Sequence, residues 1–227
     1  MPSSVKPRLI IFDMDGTLIA ERFVFQLARR FGFETMLKDI IASRIPEYEK
    51  TRSIAALLKG ISTQEIVDTF DQIPLSPGAE ATIEALKGDG HILAIISDSY
   101  TIATERLKKR LGFDYTIANK LVLKEGKATG EIEMPLDWWE GKQGCLRHAI
   151  CKLNAMVSLS RETKIPLERT VAVGDNIADI CMLEQASLGI AFNPKAPEVE
   201  RSADVTVRGD LEGILPIIRK PGQTEKW

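Results

Sequence analysis

The chain reads as an α/β protein, a doubly wound parallel sheet with a small helical cap inserted after its first strand. Three observations predict this class. Short, wholly apolar runs stop at acidic or hydroxyl residues: Leu9–Phe12 before Asp13, Ile92–Ile96 before Ser97, and Val171–Val173 before Gly174-Asp175. Apolar runs of that length mark strands covered on both faces. Helical stripes separate the runs, which is the alternation of parallel crossovers. Between residues 20 and 75 no strand signal interrupts the helical spacing.

The first strand, Leu9-Ile10-Ile11-Phe12, ends at Asp13-Met14-Asp15-Gly16-Thr17. Helical spacing follows at Phe23, Phe25, Leu27 and Phe31, then at Met36-Leu37, Ile40-Ile41, Ile54–Leu58 and Ile66–Phe70, each an apolar stripe. Gly60-Ile61-Ser62-Thr63-Gln64-Glu65 has the form of a helix stop and then a capped helix with an acidic first turn. Pro74-Leu75-Ser76-Pro77-Gly78 punctuates the chain, so 20–75 is the expected cap, and 1–19 with 76–227 the expected core. A helix over Ala79–Lys87 leads through Gly88-Asp89-Gly90 to the second strand, and Thr101–Leu111 is an amphipathic helix. Alternation at Leu121 and Leu123 beside Lys124-Glu125-Gly126-Lys127 predicts a hairpin. Trp138-Trp139, read as core filling, and Gly141-Lys142 open a further helix, and Leu188–Phe192 and Val205–Val207 complete the strands.

The chain has 227 residues and a formal net charge of -2. It is long enough to bury a core as a monomer or homodimer, and it has no charge footprint for nucleic acid. No apolar stretch approaches a membrane span and residues 1–6 lack a signal-peptide segment, so a cytoplasmic protein is expected. Cys145, Cys151 and Cys181 show no disulfide framework, nor zinc spacing with His91 or His148. They read as reduced thiols.

Ligands of open parallel sheets gather beyond the strand carboxyl ends. The site candidates are therefore Asp13, Asp15, Ser97, Lys142, Asp175 and, one turn later, Asp179. Asp13 and Asp15 stand two apart in extended chain and face one small volume; such a pair needs a cation or a shared proton. Singly, each candidate has an ordinary explanation as a cap or a strand-to-helix turn, and helix lysines such as Lys152 and Lys164 are usually solvated surface. Four segments in order argue against coincidence.

In order and type, Asp13-Met14-Asp15-Gly16-Thr17, Ser97, Lys142 and Gly174-Asp175-Asn176-Ile177-Ala178-Asp179 resemble the haloacid dehalogenase-like phosphotransferases. The helical insertion, Ile190–Lys195 and Leu211–Leu215 are most similar to the phosphoserine phosphatase-like subfamily. The resemblance implies a Rossmann-like core and a magnesium-dependent phosphomonoesterase. It would form an aspartyl-phosphate from a small phosphorylated metabolite, phosphoserine foremost. In that reading Asp13 is the nucleophile, ionised without help from a base. Asp15 protonates the leaving alcohol and later deprotonates water. Ser97 donates to the phosphoryl oxygens, and Lys142 offsets their charge. Mg2+ would be held by Asp13, the backbone carbonyl of Asp15, and Asp175, while Asp179 orients a metal-bound water or the lysine. Gly16 lets the backbone approach the phosphoryl group closely; Glu21, Arg52 and Asp98 are the implied substrate contacts.

The departures from that pattern face the substrate. Arg22 stands where the family carries a glutamate for the substrate ammonium, with Glu21 one place earlier. Ile54 stands near the expected carboxylate-binding arginine, with Arg52 offset, and Ser97-Asp98-Ser99-Tyr100 replaces a serine followed by paired glycines. Two neighbouring activities therefore stay open: transfer of the phosphoryl group to an alcohol such as homoserine, and hydrolysis of another small phosphometabolite. So does a signalling module phosphorylated on aspartate, although receiver domains are about half this size.

Overall fold

A computed structural model describes residues 6–135 and 150–220. Lys142, Trp138-Trp139 and the helix expected beside them lie outside the described residues. The strands are β1 (Leu9–Phe12), β2 (Ile92–Tyr100), β3 (Tyr115–Lys124), β4 (Lys127–Glu133), β5 (Thr170–Gly174), β6 (Leu188–Phe192) and β7 (Val205–Val207). They form one sheet in the order β4-β3-β2-β1-β5-β6-β7. Every neighbouring pair is parallel except β3 and β4, so the α/β class read from the sequence holds.

Helices α1 (Phe23–Phe31), α2 (Glu34–Ala42), α3 (Glu47–Ala56) and α4 (Thr63–Asp71) lie between the first two strands, and α5 (Ala79–Gly88) leads back to β2. Then follow α6 (Thr101–Leu111), α7 (Lys152–Thr163), α8 (Ile180–Gln185), α9 (Pro197–Ser202) and α10 (Leu215–Ile218). All four residues of β1 are buried, and they alternate between two cores. Ile10 and Phe12 belong to the same buried cluster as Leu27, Ile83 and Leu107, while Leu9 and Ile11 belong to one with Ala155, Met156 and Leu159 of α7. Each such side chain contributes about 1.5–3 kcal/mol through burial.

The segment carrying α1–α4 leaves and rejoins the sheet through a narrow neck. Ala20 N–H donates to the Pro74 carbonyl at 3.0 Å and Ser76 N–H to that of Leu18 at 2.9 Å. Within it, the cap expected before α4 is present: the Ser62 hydroxyl accepts from Glu65 N–H at 3.2 Å, and the Glu65 carboxylate accepts from Ser62 N–H at 3.0 Å. That reciprocal pair satisfies two otherwise orphaned donors.

Two features go beyond the sequence reading. The hairpin β3–β4 reaches over to the insertion, where Gly60 N–H donates to the Ala128 carbonyl at 2.8 Å and Ala128 N–H to that of Ile61 at 2.9 Å. Strand β2 also runs past its apolar stretch to Tyr100, with a shift in its pairing with β3 between Ile96 and Tyr100. Asn119 on β3 explains the extension, since its side-chain amide donates to the Asp98 carbonyl at 2.6 Å. This bond supports the polar segment that apolar patterning alone does not mark as strand.

Candidate active site

Strand register assembles the site. Phe12 pairs with Ile95 on one side and Val173 on the other, so Asp13 and Asp175 follow directly on β1 and β5, and Ser97 lies beside them within β2. Asp13 N–H donates to the Val173 carbonyl at 2.9 Å, which continues the ladder to the nucleophile candidate. Ligand atoms of Asp13, Asp175 and Asp179 all lie within 4.8 Å of one another, and all three residues are buried.

The cation among these carboxylates is Lys152. Its Nζ lies 2.5 Å from Asp13 Oδ1 and 2.5 Å from Asp179 Oδ1, and the residue is 1 % exposed. The sequence reading favoured Lys142 and treated Lys152 as helix surface; the structure corrects the second judgement. The signal was present, because Lys152 begins a stripe that continues at Ala155, Met156 and Leu159, all buried. A residue at i in an i, i+3, i+4, i+7 stripe faces the core whatever its type.

Asp179 is committed on both oxygens. Oδ1 meets Lys152, while Oδ2 accepts from Asp175 N–H at 3.0 Å and Asn176 N–H at 2.9 Å. Its place thus suits the orienting part expected of it. Gly174 permits the approach, since a Cβ there would sit 2.5 Å from the Asp179 carboxyl carbon. Gly16 is needed in the same way: its φ is +86°, and a Cβ would meet Asp175 Oδ2 at 2.2 Å.

Charge is not balanced in this cluster. Among the described residues, three buried carboxylates share one buried ammonium, with the exposed Lys195 Nζ 4.0 Å from Asp175. Burial and then the Asp179 charge push the Asp175 carboxyl up to about 7. Burial likewise raises Asp13, with the Lys152 ammonium opposing it. Burial lowers Lys152, but Asp13 and Asp179 outweigh that and hold it charged, above the ordinary lysine value. Asp175 Oδ1 is buried without a hydrogen-bond partner among the described residues. An all-oxygen donor set with a surplus of negative charge and an unsatisfied oxygen fits a hard divalent cation.

Asp15 stands apart from the cluster. Its Oδ1 accepts from Phe23 N–H at 2.5 Å, at the start of α1, and its Oδ2 lies 3.5 Å from the Ser97 hydroxyl. Burial lifts its carboxyl to about 6, with the Phe23 N–H working against the rise. Asp13 is thus set against the Lys152 ammonium inside the acidic cluster, and Asp15 is poised outside it to hold a proton near neutrality. Ser97 is fully buried, and its hydroxyl accepts from Ser99 N–H at 3.1 Å.

Above Asp15 lies a cavity of about 60 Å³ lined by Asp15, Arg22, Val24, Thr51, Ile54, Asp98, Ser99 and Tyr100. It opens into a larger mouth of about 420 Å³, where Glu47, Lys50 and Ile177 also contribute. Asp98 lines both, whereas Glu21 and Arg52 are not among the lining residues. Glu21 bonds to Gln26, lies 3.6 Å from Arg29, and lines a separate hollow. Extended backbone at Arg22 sends the two neighbouring side chains opposite ways. Arg52 lies over the Tyr48 ring at 5.9 Å. Thr51 and Ile54, three apart on α3, face the cavity, and a residue one step on from Thr51 turns about 100° away. Of the lining residues, Val24 and Thr51 carry no sequence signal, while Arg22 and Ile54 stand out in the sequence only as departures from the family pattern.

A parallel sheet bearing a paired aspartate, a buried lysine and an acidic metal cradle at its carboxyl edge defines a class of phosphoryl-transfer fold. The chain belongs to the haloacid dehalogenase-like hydrolases, whose family model matches residues 10–184. Within that family it is 34 % identical over 219 residues to a phosphoserine phosphatase of Methanocaldococcus jannaschii, covering 94 % of this chain and 99 % of the relative. The fold is similar to that of a phospho-aspartyl intermediate analogue of phosphoserine phosphatase, with a TM-score of 0.81, 34 % identity, and coverage of 94 % of this chain and 100 % of the other. A substrate-bound phosphoserine phosphatase complex matches with a TM-score of 0.81 and 33 % identity, over 94 % of this chain and 99 % of the other.

Proposed function

We propose that the chain is a magnesium-dependent phosphomonoesterase that forms an aspartyl-phosphate on Asp13, with phosphoserine its foremost substrate. The observation that carries this reading is the division of labour between the two strand-end aspartates: Asp13 touches Lys152 inside the acidic cluster, while Asp15 sits outside it with a carboxyl lifted to about 6. The likeness to phosphoserine phosphatases along nearly the whole chain supports the substrate.

An oxygen of Asp13 attacks phosphorus as the ester P–O bond breaks, and Asp15 gives its proton to the leaving alkoxide. Asp15, now ionised, takes a proton from water, which attacks the same phosphorus; the bond to Asp13 breaks and phosphate leaves. Lys152 and the Ser97 hydroxyl face the charge that builds on the phosphoryl oxygens. Asp13 and Asp175, with the Asp15 carbonyl, would hold Mg2+, which supplies further positive charge to those oxygens. Residues 20–75 act as a cap over the site, joined to the core by the neck at Ile19 and Leu75. No helix among the described residues is long and apolar enough to cross a membrane.

Phosphate release from phosphoserine and a panel of sugar and nucleotide monophosphates, with and without magnesium, tests the reading. Metal-dependent turnover with phosphoserine preferred is the expected result, and release from none of them overturns it. Capture of the phosphoryl group by homoserine faster than by water would make the chain a phosphotransferase instead.

A further inference from the structure

We propose that Arg22 and Asp98 together form the leaving-group subsite, with Asp98 receiving the ammonium and Arg22 the carboxylate of an α-amino-acid phosphomonoester. The inference rests on the phosphoryl-transfer reading of Asp13 and Asp15, and it names the charges that meet the departing half of the substrate.

Asp15 is the group that protonates the leaving oxygen, so the atoms attached to that oxygen must lie in the small cavity that Asp15 lines. That cavity is small, roughly 60 Å³, and it widens into the mouth of about 420 Å³, whose wall also includes Arg22 and Asp98. Val24 and Ile54 offer the leaving group apolar wall, which gives a polyol few partners. Arg22 and Asp98 offer it opposite charges. Among the described residues, neither charged group is tied to another by a hydrogen bond or ion pair; the Arg22 guanidinium only lies over the Phe25 ring at 5.4 Å. The other charges nearby are already matched, since Lys50 Nζ lies 2.8 Å from Glu47 in the outer mouth.

Both groups are held in place through their backbones. Asn119 fixes the Asp98 carbonyl at 2.6 Å, and the N–H following Arg22 binds the Asp15 carboxylate at 2.5 Å. Arg22 is thus tied to the acid itself by one residue. A guanidinium fork matches a carboxylate, a carboxylate matches an ammonium, and an α-amino acid carries both ions on one carbon. A simple anion would leave Asp98 unmatched, and a simple amine would leave Arg22 so. The ammonium contact comes from the sheet and the carboxylate contact from the insertion, so the subsite is complete only when the two regions meet.

The test compares kcat/KM, in the presence of magnesium, for phosphoserine, O-phosphoethanolamine and 3-phosphooxypropionate in the native protein, Asp98→Asn and Arg22→Gln. Phosphoethanolamine lacks the carboxylate and phosphooxypropionate lacks the ammonium. The native protein should prefer phosphoserine to each by about ten- to a hundredfold, the worth of a charge-assisted hydrogen bond. Asp98→Asn should abolish the preference over phosphooxypropionate and keep that over phosphoethanolamine; Arg22→Gln should do the reverse. Ratios between substrates cancel any general effect of a variant on the chemical step. The subsite is overturned if the native protein turns over the esters without preferring phosphoserine, or if both variants keep both ratios within about twofold. Failure of the native protein to hydrolyse any phosphomonoester would instead overturn the phosphoryl-transfer reading beneath it.

Discussion

At the carboxyl edge of the sheet and on the wall of the cavity above it, charges are held in opposite ways. At the edge, Asp13, Lys152 and Asp179 are almost wholly buried and joined by contacts of 2.5 Å. On the wall, Arg22 and Asp98 line the cavity, and among the described residues neither charged group has a hydrogen bond or ion pair to another side chain. The lysine–carboxylate contacts of the first arrangement are in place before substrate arrives, which suits electrostatic stabilisation that must cost no reorganisation during the reaction. The second is completed by the ligand, which suits selection among substrates, because a wrong leaving group leaves a charge unmatched.

The contrast can be broken from the edge first. Asp13→Asn should lower kcat by about 10⁴-fold or more and abolish any acid-stable phosphoenzyme, measured by phosphate release and by intact mass after quenching. Next comes Lys152→Ala, which strands buried carboxylates. It should destabilise the protein by about 3–5 kcal/mol in urea unfolding as well as disable it. A loss of activity without loss of stability would show that the lysine is not part of a preformed cluster.

The acidic cluster also gives a pH dependence of known sign. A carboxyl raised from 3.8 to about 7 in the folded chain, as Asp175 is, contributes stability that is fully present below 3.8 and lost as pH rises through about 7. The metal-free protein should therefore lose stability relative to Asp175→Asn between about pH 4 and 7.5, by up to about 4 kcal/mol. Saturating magnesium should remove most of that slope, because it binds the ionised form. Thermal melts in chelator and in magnesium across this range would check it. The smallest effect belongs to the insertion's own architecture: Ser62→Ala removes the cap of α4 and should cost about 1 kcal/mol of stability. Its substrate ratios should stay as in the native protein, since Ser62 lines neither the cavity nor its mouth.

Much of the edge was legible in sequence because its logic is local. The run Leu9–Phe12 is apolar at every position and stops at Asp13, so strand and candidate nucleophile are read together. The same holds for Val171–Val173 and Asp175. The lysine was less legible. Sequence patterning in that part of the chain offers Lys142, Lys152 and Lys164 alike, and Lys152 is singled out only by the buried stripe it shares with Ala155, Met156 and Leu159. The cavity wall was less legible still. Glu21 and Arg52 have the right charges, yet each is one backbone step out of phase with the residues that line the cavity, Arg22 and Thr51.

By itself the sequence determined the strands, the alternation of helices, the aspartates at the strand ends and the place of the long helical insertion. These follow from short-range patterns of apolar and polar residues, which any chain displays before it folds. The tertiary structure decided which lysine is buried beside Asp13, that Asp15 is drawn out of the acidic cluster by the first turn of α1, and that Arg22 and Asp98 share one cavity. Those outcomes depend on helix phase and on segments far apart in the chain being brought together. A charge's partner is set by distance in space, and residue spacing along the chain does not encode that distance.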